Sequence, residues 1–219
     1  MVKQERAART RESLVRAAAE VFARDGFALA SLTSISKRAG VSNGALHFHF
    51  ESKQALARGV EDEAAAMVRA IAASARAGGP GPLQRLIDAT HALMERLDQD
   101  VVVRAGFELG SGPPRREGAV DLRGQWQSWV EEALGDAERE GVLAPGVSAA
   151  DASVTVVAAT VGFEQLGADD RTWTSAQTLV QFWDLLLPRL ASADVLSGLK
   201  PGGTTAAAPR RGQAGHGRA

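Results

Sequence analysis

Small polar and basic residues in the first quarter of the chain have the types and spacing of a DNA-contacting surface. The candidate contacts are Arg9, Thr33, Lys37, Ser42, Asn43, Gly44, His47 and Lys53. Hydroxyl and ammonium groups bind phosphate oxygens, which fix the register of a protein on DNA. Asn43 and His47 would carry what direct base readout exists, because asparagine offers adenine a complementary edge and a neutral imidazole offers one donor.

Three of these candidates also have ordinary structural explanations. Ser42 could act only as a helix cap, and Lys53 could be a solvated surface lysine. Arg9, together with Arg11, could reach the DNA backbone or minor groove from an N-terminal arm, or could remain in solvent. The residue types alone leave these alternatives open.

The surrounding sequence predicts two short helices joined by a sharp turn at Gly40. Gly40 can adopt the positive φ that ends one helix, and Ser42 can cap the next. The apolar residues expected to face inward and hold the two helices at a steep angle are Leu32, Ile35, Ala39, Leu46 and Phe50. The polar residues that begin the second helix would then face outward, as in a helix-turn-helix DNA-binding element.

Apolar residues recurring with the helical period predict about nine helices and no sheet, so the fold class is all-α. A helix over residues 10–25 precedes the helix-turn-helix, and a long strut helix begins near residue 53. We expect a three-helix DNA-binding domain over residues 1–52 and a larger helical body over residues 53–196. Residues 197–219 are expected to be disordered because they lack apolar anchors.

Charge is distributed unevenly along the chain, although the net charge is only −1. Residues 1–60 hold ten Lys and Arg against five Asp and Glu, whereas residues 61–140 hold nine against fifteen. This asymmetry favours a basic head that meets a polyanion and an acidic body that does not, over random scatter of surface charge.

Several classes of function are disfavoured by what the sequence lacks. It has no cysteine, no phosphate-binding glycine loop and no HExxH or GxSxG motif, so we expect no enzyme. His47 and His49 lie two positions apart and would not face each other on a helix, so we expect neither a metal site nor a cofactor. No apolar run approaches the ~20 residues of a membrane-spanning helix, and the N-terminus lacks the apolar core of a signal peptide. We therefore expect a cytoplasmic protein without membrane contact.

The segment AGVSNGALHFHFESKQAL, from Ala39 to Leu56, resembles the helix-turn-helix of the TetR family of transcriptional repressors. The stretch from Arg9 to Phe22 extends the match, and the body agrees in length and helix order. Within the family, the chain looks most like the γ-butyrolactone receptors and pseudo-receptors of antibiotic-producing actinobacteria. That similarity is carried by the motifs GALHFHF and VRAGF and by Trp126, which is followed by LGDA.

The resemblance implies a homodimer on a palindromic double-stranded operator, regulating antibiotic or secondary-metabolite genes and released by a small hydrophobic effector. The last two helices would form the dimer interface, through Phe182, Trp183 and Leu186. Two positions depart from the family pattern: Asn43 stands where a basic residue is usual, and His47 stands where tyrosine is usual. Both changes affect the DNA sequence that is read and the salt dependence of binding.

The resemblance also implies an effector pocket in the body. A tryptophan matching Trp126 lines that pocket in the receptors, although core packing alone would also explain Trp126. Thr90 and His91 could orient a lactone or polyketide, or could be satisfied core residues. Phe107 and Phe163 would line the pocket only if their helices converge on Trp126.

Two further alternatives stay open at this point. A pseudo-receptor would respond to an antibiotic or its precursor rather than to a butyrolactone, or would repress constitutively. A nonspecific nucleoid protein would bind an operator no more tightly than random DNA at matched salt.

Overall fold

The protein was analysed as a computed structural model, which describes residues 2–78, 80–111 and 118–204. The described ranges contain α1 (Val2–Leu29), α2 (Leu32–Ala39), α3 (Asn43–His49), α4 (Lys53–Ala77), α5 (Pro82–Gln99), α6 (Val101–Leu109), α7 (Leu122–Arg139), α8 (Ala149–Gly167), α9 (Ala176–Leu190) and α10 (Ala193–Leu196). A 3₁₀ turn (Arg171–Thr174) precedes α9. The predicted all-α fold, with an N-terminal helix-turn-helix and a larger helical body, is confirmed.

The first helix is longer than its apolar period predicts, because α1 begins at Val2 rather than near residue 10. Arg9 therefore lies on a helix and not on an extended arm. Gly26 interrupts α1 with φ 74° and ψ 157°, a conformation that only glycine adopts readily. The chain then makes one more turn, in which the Ala30 N–H donates to the Gly26 carbonyl.

A hydrophobic cluster in the N-terminal part of the chain builds what we call the head, the unit formed by α1, α2 and α3. Leu14, Ile35 and Leu46 are fully buried in it, one from each helix. The first turns of α4 and of α6 complete the same cluster, with Val60 and Val102 as examples. The core of the head thus extends beyond the predicted boundary at residue 52.

The body, the remaining helical part of the chain, has its own core built from α4, α5, α6, α7, α8 and α9. The α4 and α6 helices approach closely at Gly106, where an added Cβ would lie 2.5 Å from the Ala64 Cβ. Because α6 also packs against α1, it contacts both the head and the strut helix α4. No helix within the described ranges has the length and hydropathy needed to cross a membrane.

The segment after α10 is held against α5. Lys200 exchanges two backbone hydrogen bonds with the Gln84 side chain, and the Thr204 N–H donates to Asp88 Oδ1 at 2.8 Å. The prediction of disorder is therefore wrong for residues 197–204, because Leu199 packs against the body core and the polar partners on α5 lie far away in sequence. The rest of the predicted tail lies outside the described residues.

Candidate DNA-binding surface and effector site

The turn between α2 and α3 has the local geometry that its sequence predicts. Gly40 adopts a left-handed conformation (φ 68°, ψ 29°), and its N–H donates to the Lys37 carbonyl at 3.2 Å. The Val41 N–H donates to the Ser36 carbonyl at 3.0 Å, which completes the helix end. Ser42 Oγ accepts from the Ala45 N–H at 3.1 Å and caps α3. The capping role of Ser42 is thus present, whether or not it also contacts DNA.

The outward face of α3 is polar at its start and aromatic at its end. Leu46 and Phe50 are buried, which leaves the residues Ser42, Asn43, Gly44, His47 and Phe48 exposed. An added Cβ on Gly44 would meet only the Ser42 hydroxyl, at 3.9 Å, so this side of the helix is open to a close backbone approach. The exposed face can therefore enter a groove of DNA without rearranging the head.

Phe48 is a member of this face that sequence reasoning missed. Its side chain is 82% exposed, and its ring packs edge-on against His49 with 5.2 Å between centroids. The signal was available, because Leu46 and Phe50 occupy two inward positions four residues apart and position 48 must then face away. An exposed phenyl ring is suited to contact with a thymine methyl group.

Arg9, Thr33 and Lys37 are among the exposed basic and hydroxyl side chains of the head. Arg11 has a different role, because its guanidinium lies over the Phe50 ring, 5.2 Å from the centroid. Arg38 pairs with Glu20 and so joins α2 to α1. Thr33 lies at the start of α2 and Lys37 in its last turn, and phosphate contacts from both would set the register of α3.

Lys53 has a different environment from the phosphate contact predicted for it. Its ammonium group donates to the carbonyls of Phe27, Ala28 and Ala30 at 2.7, 3.0 and 3.0 Å. It also lies over the Phe27 ring, 4.7 Å from the centroid. An ammonium has three N–H donors, and all three are taken. In the structure, Lys53 therefore closes the end of α1.

In the body, Trp126 is buried at the junction of α7 and α8. Its indole Nε1–H donates to Thr160 Oγ1 at 2.9 Å, and Thr160 in turn donates to the Val156 carbonyl. The Trp126 ring stacks on Trp129 with 5.1 Å between centroids and 27° between planes. The ring and the indole N–H of Trp126 are thus both satisfied within the body core.

Thr90 and His91 are satisfied within the protein. Thr90 Oγ1 donates to the Ile87 carbonyl at 2.7 Å and accepts from the Trp183 indole N–H at 2.9 Å. His91 Nε2 lies 2.8 Å from the Pro201 carbonyl oxygen. Because a carbonyl oxygen can only accept, Nε2 carries the proton and donates this hydrogen bond, which holds the segment after α10. The structure matches the core alternative for both residues rather than the ligand alternative.

Trp183 lies in the body core and not on an exposed seam. It is fully buried, and its indole N–H is bonded to Thr90. The prediction that it forms a dimer interface is therefore wrong, because its helical position faces inward toward α5. Phe182 and Leu186 are half-buried beside it, and Leu185 is a large apolar residue of α9 that is 81% exposed.

Phe107 and Phe163 do not share a ring contact with Trp126. Phe163 packs against Phe182 (5.5 Å) and Trp173 (6.4 Å) in a peripheral aromatic cluster. Phe107 is buried, with the Arg123 guanidinium 5.8 Å from its centroid. The element that converges on Trp126 is α8, through the Thr160 hydroxyl.

A shallow groove of about 650 Å³ runs between α7 and α8. Its lining is mostly apolar and consists of Gln127, Glu131, Ala149, Ala150, Ser153, Val154, Val157, Ala158 and Val161. Val154 is 71% exposed in this groove. The groove is open to solvent, and the buried Trp126 is not part of its lining.

A capped helix-turn-helix with an exposed polar face, carried by a basic head on a larger helical body, defines a DNA-binding regulator. The family model for bacterial regulatory proteins of the tetR family matches residues 14–60. Over 209 residues the chain is 32% identical to the A-factor receptor protein of Streptomyces griseus, covering 93% of this chain and 71% of that protein. Over 166 residues it is 31% identical to the transcriptional repressor BepR of Brucella suis, covering 72% of this chain and 79% of BepR.

Solved structures agree with this assignment. A γ-butyrolactone receptor described as ArpA-like superposes with a TM-score of 0.73 at 25% identity, covering 88% of this chain and 93% of that one. The protein CprB of Streptomyces coelicolor, solved with its operator, gives a TM-score of 0.73 at 25% identity and covers 88% and 94%. The chain therefore belongs to the TetR family and is a DNA-binding repressor related to the γ-butyrolactone receptors. Its relatives are regulators and not enzymes.

Proposed function

We propose that the protein is a homodimeric repressor of antibiotic or secondary-metabolite genes that leaves its operator when a γ-butyrolactone-type effector binds in the body. The observation that carries this proposal is Trp126, buried in the body with its indole N–H bonded to Thr160. It stands in a chain related over most of its length to an A-factor receptor. Once separated from Thr160, an apolar ring with one directed donor can bind the ring and the oxygen of a small lactone.

The DNA contacts in this proposal come from the two heads of a dimer. Arg9, Thr33 and Lys37 would bind phosphates, and the exposed start of α3 would enter the major groove. Asn43 and His47 would carry the base readout, and Ser42 and Gly44 would lie close to the DNA backbone. Two heads related by a two-fold axis match a palindromic operator.

The dimer contact is proposed on α8 and α9. No charged residue occurs between Asp151 and Glu164, so α8 is apolar on its outer side as well as its inner side. A helix that is apolar on all sides is ordinarily buried, and a second copy of α8 would cover it. On α9, the exposed Leu185 would contact the partner in place of Trp183, with Phe182 and Leu186 at the edge of the interface.

The dimer is tested by light scattering of Val154→Glu, with Leu29→Glu as the matched control. Both residues are exposed apolar side chains, at 71% and 83%, but Leu29 ends α1 in the head. A buried unpaired charge would weaken the α8 contact. We expect Val154→Glu to be a monomer that binds DNA poorly and Leu29→Glu to remain a dimer. A dimeric Val154→Glu protein would refute this interface.

Effector binding would have to separate Trp126 from Thr160 or from Trp129, because the indole is already enclosed. Movement of α7 and α8 would reach the heads through the body core and α6, which packs against both α1 and α4. The effector can shift the equilibrium only by the difference between its affinities for the two forms.

The effector proposal is tested by tryptophan fluorescence and gel shift on the same samples. A γ-butyrolactone panel should change the fluorescence and release operator DNA over one concentration range in the wild type. Trp126→Phe should lose both responses, whereas Trp173→Phe should keep them, because Trp173 belongs to the peripheral cluster. Release that leaves Trp126 fluorescence unchanged would contradict the site. Release by antibiotics or precursors alone would favour the pseudo-receptor, and release by neither would favour a constitutive repressor.

A further inference from the structure

The Ser36 hydroxyl is a buried polar group that links α2 to the DNA-facing helix α3. Ser36 is 4% exposed, and its Oγ donates to Asn43 Oδ1 at 2.5 Å. Asn43 itself is exposed as the first residue of α3. The side chain best placed to read a base is therefore tethered to the helix behind it, through one defined end of its amide.

The length of this contact decides which end of the amide Ser36 holds. The distance of 2.5 Å lies in the range of O–H···O bonds, about 2.5–3.0 Å, and below that of N–H···O bonds, about 2.7–3.2 Å. Ser36 Oγ also lies 3.1 Å from the Thr33 carbonyl oxygen, whose ordinary partner in a helix is the N–H four residues later. The single hydroxyl proton therefore goes to the nearer oxygen, that of Asn43.

We propose that Ser36 is a positioning residue that occupies the Asn43 amide oxygen, so that Asn43 presents only N–H donors and reads a guanine. This inference rests on the proposed function, because it needs α3 to lie in the major groove. Guanine offers two adjacent acceptors there, N7 and O6. Adenine offers the N7 acceptor beside the N6 amine, a donor that would meet the donors of Asn43.

The tether changes the preference that the residue type alone predicts. A free asparagine offers one donor and one acceptor, which together match adenine. Within the described ranges, Asn43 Nδ2 donates to no other group, so its N–H groups remain available to a base. Ser36 thus acts on one base position and leaves the phosphate contacts of Thr33 and Lys37 unchanged.

The test begins with selection of binding sites from a random duplex pool by the full-length wild-type protein and by Asn43→Ala. The base preference that disappears in Asn43→Ala should be a guanine in the wild-type sites. Competition titrations then replace this guanine in each half-site with adenine or with 7-deazaguanine, which lacks the N7 acceptor. We expect adenine to weaken wild-type binding about 5- to 150-fold per half-site, and 7-deazaguanine to weaken it by part of that factor. Hypoxanthine keeps both N7 and O6, so it is the matched control that should bind like guanine.

The role of Ser36 is tested with a matched pair of variants. Ser36→Ala frees the Asn43 oxygen, so the ratio of affinities for guanine and adenine sites should fall close to one. Ser36→Thr keeps a hydroxyl donor and should retain the wild-type ratio. Affinity for random duplex at matched salt should stay the same in both variants, because the phosphate contacts are intact. A merely structural role for Ser36 would instead weaken binding to guanine and adenine sites alike.

Four results would overturn the inference. They are a base other than guanine at the Asn43-dependent position; base preferences that Asn43→Ala leaves intact; an undiminished guanine preference in Ser36→Ala; and equal weakening of guanine and adenine sites in that variant. The first two need no variant of Ser36 to detect. If the wild type enriched no sequence at all, the proposed function would fail as well. That failure is distinguishable because it precedes any comparison of variants.

Discussion

Replacing Lys53 with methionine is expected to destabilise the head without changing how binding responds to salt. The ammonium group donates to three carbonyls at 2.7–3.0 Å and lies 4.7 Å from the Phe27 centroid. A hydrogen bond to a charged group contributes about 1.5–3 kcal/mol, and a partly exposed cation–π contact about 0.5–1 kcal/mol. Water can replace part of this set after the substitution, so we expect a loss of about 2–3 kcal/mol.

For a chain of this length, that loss corresponds to a fall in melting temperature of roughly 4–12 °C. The matched control is Lys37→Met, which removes an exposed ammonium from α2. If Lys37 contacts phosphate, this control should lower the slope of log K against log salt by about 0.9 per subunit. Lys53→Met should leave this slope unchanged. The binding titrations of the variant are carried out well below its melting temperature, so that the head stays folded.

The two readouts separate the possible roles of Lys53. If Lys53 only closes α1, its substitution lowers the melting temperature and leaves the salt slope unchanged. If Lys53 binds phosphate, its substitution lowers the salt slope and leaves the melting temperature unchanged. An unchanged melting temperature together with a slope reduced as in Lys37→Met would refute the structural reasoning.

Four other substitutions test the body. Gly106→Ala should cost about 1–3 kcal/mol in chemical denaturation because its Cβ has no room, whereas Gly135→Ala, which has open space, should stabilise α7 by about 0.5–1 kcal/mol. Burial raises the pKa of Glu63 above its usual 4.5. The wild type therefore loses stability as the pH rises from the usual pKa through the raised pKa of the folded protein. Glu63→Gln should therefore raise the melting temperature at pH 7 and leave it unchanged at about pH 4, and an equal effect at both would contradict this. Thr160→Val should cost about 1–3 kcal/mol and alter Trp126 fluorescence, since the buried indole N–H loses its acceptor; an unchanged emission spectrum would count against that bond.

The features that sequence predicted well depend on neighbours in the chain. The turn at Gly40 and the cap at Ser42 follow from rules that act over a few residues, and the apolar period marks the buried side of each helix. The spacing of Leu46 and Phe50 was enough to orient α3. These rules were enough to predict the shape of the candidate DNA-binding face, except for the overlooked Phe48.

The features that sequence missed depend on partners far away in the chain. Lys53 closes a helix that ends more than twenty residues earlier, and Trp183 donates to a threonine on α5. A lysine after a helix-turn-helix and an aromatic pair near the C-terminus fit several roles equally well. Only the packing of the helices selects one of them, and neither charge nor period contains that information.

The position of α6 between the two hydrophobic cores limits how this repressor can be re-engineered. Val102 and Ala105 belong to the core of the head, whereas Val103 and Phe107 belong to that of the body. A chimera cut at the end of the helix-turn-helix would leave the head with an unfilled core. Grafting this DNA specificity onto another sensor will therefore require the first turns of α4 and the whole of α6 to be transplanted with it.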